Sequence, residues 1–74
     1  MSLNKKLVTY HIARLKDRRA DVRLNAIHEL AELGDPEALS ALQELYKTDS
    51  DLEVRKAAQE AGRLLFIKQQ QSGT

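Results

Sequence analysis

The ten residues DRRADVRLNA at 17–26 recur as DSDLEVRKAA at 49–58, and the register they share decides the fold. Asp17, Val22, Arg23 and Ala26 answer to Asp49, Val54, Arg55 and Ala58, a displacement of 32 residues. Working outward toward the N-terminus, Val8, Ile12 and Leu15 answer to Ala38, Leu42 and Leu45. There the displacement is 30, so the second inter-helix turn is longer by two residues. Apolar residues spaced by three and four mark amphipathic helices. Two such helices in a unit of roughly 30 residues are the signature of an α-solenoid. The expected fold is therefore all-α: two helical hairpins, four helices, stacked as an α-α superhelix.

The elements follow from the same pattern. Residues 3–16 read as a first helix with two apolar stripes, Leu3, Leu7, Tyr10 and Val8, Ile12, Leu15. A turn at 18–21 leads to a second helix over about 21–33, whose inner face is Val22, Ala26, Ile27, Leu30 and Leu33. Gly34 can adopt the left-handed conformation that ends a helix. Asp35 then caps the third helix, and Pro36 takes its first position, where no N–H is needed. That helix, about 36–47, turns Ala38, Leu42, Leu45 and Tyr46 inward, with Leu39 beside them. Asp51 caps a fourth helix carrying Val54, Ala58, Ala61, Leu65 and Phe66. The repeats thus span about 3–33 and 36–68, and the polar tail 69–74 is expected to be disordered. Met1 together with that tail leads us to expect a complete small protein.

Composition narrows the function. A chain of 74 residues holds one domain and buries only about 60% of its unfolded surface. It has no cysteine, so it has no disulfide, thiolate metal site or thiol nucleophile. No apolar run reaches the roughly 18 residues of a membrane span, and no secretory core opens the chain, so a cytoplasmic protein is expected. The net charge is +1, but residues 1–23 carry +5, residues 24–53 carry −7 and residues 54–74 carry +3. Such blocks favour self-association or an oppositely charged partner.

These residues resemble HEAT repeats. The string Asp-x4-Val-Arg-x2-Ala, the Leu-Gly-Asp-Pro-Glu-Ala at 33–38 and the second Val-Arg are most similar to the short HEAT-like repeat of phycocyanobilin lyases (PBS lyases). The resemblance covers about residues 5–67. It implies that Asp17, Arg23, Asp49 and Arg55 form a hydrogen-bonded ladder between neighbouring repeats, an arrangement suited to an Arg fork between helices. As an alternative function it implies an accessory role in bilin-lyase or phycobilisome assembly or turnover. The chain departs from the pattern at Arg19-Ala20, which leaves the first inner helix without its usual capping acid.

No catalytic constellation is legible. His11 and His28 stand seventeen residues apart without a Cys, so no metal ligand set forms, and no cofactor is expected. Glu29 and Glu32 share a helical face but have no nucleophile or pocket beside them. The basic cluster Arg14, Lys16, Arg18, Arg19 and Arg23 supports nucleic-acid backbone binding as a third reading. Near-zero net charge and only three aromatic residues weigh against it.

The leading expectation is a non-enzymatic protein-interaction module, a small adaptor or scaffold subunit that binds a partner protein or itself. Two repeats are fewer than the three or more a solenoid usually needs, so both ends of the stack stand open. The consecutive Leu64, Leu65, Phe66 and Ile67 reach every side of a helix at 100° per residue. Leu64, Phe66 and Ile67 are one candidate contact surface. Leu24, His28, Lys56, Glu60 and Arg63, on the second helix of each repeat, are the other. Gly62, mid-helix, implies that something comes close to it, either the preceding helix or a partner.

Overall fold

The computed structural model describes residues 3–72, with the side chain of Ser72 left aside. Its elements are α1 (Leu3–Arg14), α2 (Ala20–Leu33), a 3-10 turn (Pro36–Ala38), α3 (Leu39–Thr48) and α4 (Leu52–Ser72). The helices pair as two hairpins, α1 with α2 and α3 with α4, and α2 packs against α4 between them. The molecule measures 36 × 24 × 15 Å. Its thin axis is that of two helix layers about 10 Å apart. This is the all-α, helical-hairpin solenoid expected from the repeat.

Local chemistry sets the boundaries. α1 stops at Arg14, two residues short of the expected end, because the chain tightens there. Lys16 and Asp17 donate to the Ala13 and Arg14 carbonyls three residues back, each at 3.1 Å. α2 starts at Ala20, one residue early, with Arg19 at its N-cap making no side-chain cap bond. The carboxylate of Asp17 instead accepts the Arg19 backbone N–H at 2.8 Å. Gly34 ends α2 with φ +69°, and its N–H reaches the Leu30 carbonyl. Asp35 accepts the Glu37 N–H and Pro36 follows it, but the residues expected to open an α-helix form a 3-10 turn first. Asp51 caps α4 through the N–H groups of Glu53 (2.9 Å) and Val54 (3.2 Å).

The core is a single cluster of Val8, Leu15, Ala26, Ile27, Leu30, Ala38, Leu42, Val54, Ala58, Ala61 and Leu65. Both repeats contribute through equivalent positions. Two residues assigned inward are exposed, Tyr46 at 43% and Phe66 at 49%. Each lies on the open side of the second repeat, where no further helix covers it. Of the two stripes of α1, the Val8 stripe enters the core, while Leu3 and Tyr10 are exposed. Gly62 sits within α4, and a Cβ built there would lie 3.7 Å from the Leu39 side chain. The neighbour is thus the preceding helix of the same repeat.

The end of the chain differs from expectation. The expected disorder over 69–74 does not begin at residue 69, because α4 runs on to Ser72. Phe66 occupies the position matching Gly34, so no left-handed residue or proline stops the helix there, and Lys68 and the three Gln residues after it are good helix formers. Gly73 and Thr74 lie outside the described residues.

Candidate protein-interaction surface

The repeat places one ion pair across its own seam. Arg23, near the start of α2, reaches Asp49 in the turn between α3 and α4. Its Nη2 donates to Oδ1 at 3.0 Å, and its Nε lies 2.7 Å from Oδ2. The Nε contact is an ion pair out of hydrogen-bond alignment, which leaves that buried nitrogen without a hydrogen-bond acceptor. The two side chains are only 13% and 4% exposed. The other guanidinium nitrogen of Arg23, Nη1, donates to the carbonyls of Asp17 (2.8 Å) and Arg18 (3.0 Å). Burial opposes ionisation of Asp49, but the Asp51 N–H, the Arg23 fork and the charges of Arg23 and Arg55 together hold its carboxyl below the usual aspartate value.

The second repeat reproduces this pattern as far as it can. Arg55 Nη1 donates to the Asp49 carbonyl at 2.7 Å, as Arg23 does to Asp17. Asp49 accepts the Asp51 N–H as Asp17 accepts that of Arg19. The carboxylate–guanidinium contact across a seam is made once, between Arg23 and Asp49. No salt bridge within 4 Å joins Asp17 or Arg55 to any described side chain. A second tie joins the first helix to the inter-repeat turn: Lys5 meets Glu37 at 2.7 Å and Asp35 at 3.3 Å. The Glu37 N–H and Lys5 hold the Asp35 carboxyl below its usual value against partial burial.

The candidate contact residues fall into two groups. His28, Lys56, Glu60 and Arg63 are exposed on α2 and α4, whereas Leu24 is half-buried against the core. Arg63 pairs with Glu60 at 2.6 Å, which lowers the Glu60 carboxyl and raises the guanidinium. Leu64, Phe66 and Ile67 are 46%, 49% and 39% exposed, separated by the buried Leu65. Phe66 continues into an open groove between α3 and α4 formed with Gln43, Tyr46, Gln59 and Gly62. Gln43 and Gln59 were not singled out from the sequence, and Tyr46 was assigned to the core rather than to a contact surface. The signal was present, since Gln59 and Arg63 stand where the first repeat has the inward-packed Ile27 and Ala31.

The basic cluster is partly used within the fold. Arg23 turns inward to Asp49, Arg19 pairs with Asp21 at 2.9 Å, and Arg14 lies over the Tyr10 ring while approaching His11 Nδ1 at 3.1 Å. His11 is buried on α1, and His28 is exposed on α2. Among the described residues, no group of three or more His, Cys, Asp or Glu is placed to hold a metal ion. No described helix is long and apolar enough to cross a membrane.

No curated protein and no solved structure matches the chain. A family model described as HEAT repeats matches residues 3–62, which include the first hairpin, the Arg23–Asp49 seam, α3 and about the first half of α4. With well over half its length in that match, and with the duplicated hairpin seen in the fold, the chain belongs to the HEAT repeat family.

Proposed function

We propose that this chain is a non-catalytic protein-binding module, an adaptor or small subunit that presents the two ends of its stack to partner proteins. HEAT repeats are commonly protein-interaction modules and are generally non-catalytic. The observation that carries the reading is the set of large apolar side chains left exposed: Leu3 and Tyr10 on α1, Tyr46 and Phe66 on the open side of the second repeat, and Leu64 and Ile67 beside Phe66 on α4. Scattered exposed apolar residues are ordinary, but here Phe66 and Tyr46 share one groove with an apolar floor. Aromatic side chains at the centre of such a patch contribute most of the affinity in protein interfaces. The ladder residues Asp17, Arg23, Asp49 and Arg55 serve the stack rather than a reaction.

The test is photo-crosslinking with the full chain in its host cells. A photoreactive aromatic amino acid replacing Phe66 or Tyr10 yields a discrete higher-mass polypeptide adduct. The same replacement at Glu53, on the exposed first turn of α4, yields none. Absence of any adduct at the end positions would contradict the reading.

A further inference from the structure

We propose that the occupant of the open ends is a second copy of this chain, stacked head to tail so that Arg55 of one copy meets Asp17 of the next. The inference rests on the protein-binding reading above and names the partner of the same surfaces. Inside the molecule the seam is closed by Arg23 and Asp49. A displacement of 32 residues carries Asp17 onto Asp49 and Arg23 onto Arg55, so each end displays one half of the same pair. The backbone bonds that aim the groups are already made, since Arg55 is held by the Asp49 carbonyl and Asp17 by the Arg19 N–H. One more translation along the stack brings the two halves together.

The flanking residues agree in charge. On α4, the stripe Ala57, Ala61, Leu64 and Lys68 faces α2, because the Lys68 side chain lies over Gly34. Its counterparts on α2 are Asn25, Glu29 and Glu32, all exposed at the opposite end of the stack. The α2 face that receives α4 has its counterpart in Arg55, Gln59 and Arg63. On the inner helices the exposed face of α2 is therefore acidic and that of α4 basic, as complementary docking requires. Aromatic positions agree as well. Ser40 and Lys16 both line the crevice between α1 and α3, and their counterparts Tyr10 and Tyr46 are exposed at the two ends.

This end seam is more polar than the internal one, with Gln59 for Ile27 and Arg63 for Ala31. The association is accordingly weak, reversible and weakened by salt. A head-to-tail contact repeats the same interface and extends beyond a dimer unless its rotation closes a ring.

Sedimentation velocity over a range of protein concentrations at low salt tests this. The wild-type chain gains mass beyond a dimer as concentration rises, and high salt reverses the gain. Asp17→Arg and Arg55→Asp each weaken self-association by about tenfold or more, while an equimolar mixture of the two restores it. Circular dichroism verifies that each variant folds. Arg63→Glu, at an exposed site, gives an independent loss should Arg55→Asp fail to fold. A wild-type chain that stays monomeric, stops at a dimer, or ignores these reversals overturns the proposal. Crosslinked adducts with a different polypeptide in that case leave the protein-binding reading standing, and absence of adducts removes both.

Discussion

Arg23 and Asp49 show how much position within the stack changes what one residue does. Asp17 and Asp49 occupy the same place in their repeats, yet only Asp49 faces a guanidinium across a seam. Removing one partner of a buried pair leaves the other charge uncompensated, at a cost of about 3 kcal/mol. Arg23→Met and Asp49→Asn are therefore strongly non-additive. In urea denaturation each single change lowers stability by that order, and the double change costs clearly less than the sum. The pair also sets an acid limit. The folded-state value of Asp49 lies below its unfolded value, so its contribution is complete above the unfolded value near pH 4. It is lost as pH falls through the folded value. Asp35 acts in the same direction. The urea midpoint of the wild-type chain is expected to fall below about pH 4, and Asp49→Asn flattens that fall.

At the scale of elements, two glycines have opposite roles. Gly34 holds φ +69° where α2 ends, a conformation that costs any L side chain about 1 kcal/mol or more. Gly62 is helical, and a methyl group there meets Leu39 at ordinary contact distance. Gly34→Ala should lower stability by about 1 kcal/mol, and Gly62→Ala should raise it by about 0.5–1 kcal/mol, read as shifts in the thermal midpoint. The helix count, the Gly34 stop and the Asp35 and Asp51 caps were legible because each rests on local backbone chemistry. The α4 end was less legible, since polarity at 69–72 says nothing against helix when Gln is a good helix former. Tyr46 was misread for a different reason. Its spacing from Leu42 is helical, but whether that face is covered depends on a third repeat, which local periodicity cannot report. Likewise the 32-residue register relates Asp17 to Asp49 and Arg23 to Arg55, and the family resemblance implied a ladder between repeats. Which Arg meets which Asp became visible only with α2 packed against α4.

On the scale of the whole molecule, 74 residues give a stability of about 4–11 kcal/mol, so each end contact matters. Anything that binds the folded state alone raises apparent stability with concentration. The thermal midpoint of the wild-type chain should therefore rise as protein concentration increases at low salt. Phe66→Asp should flatten that dependence while leaving the dilute midpoint nearly unchanged, because the residue is half exposed. The stack thus has one seam closed and two half-seams facing outward.

The most direct test of that arrangement compares equivalent substitutions at the two positions. Urea midpoints of Asp17→Asn and Asp49→Asn are measured at a low and a high protein concentration. Asn at 17 keeps the oxygen that accepts the Arg19 N–H, so the dilute protein should match wild type while losing the gain seen at high concentration. Asn at 49 should be destabilised at both concentrations. Equal losses at the two positions, whatever the concentration, would contradict the account.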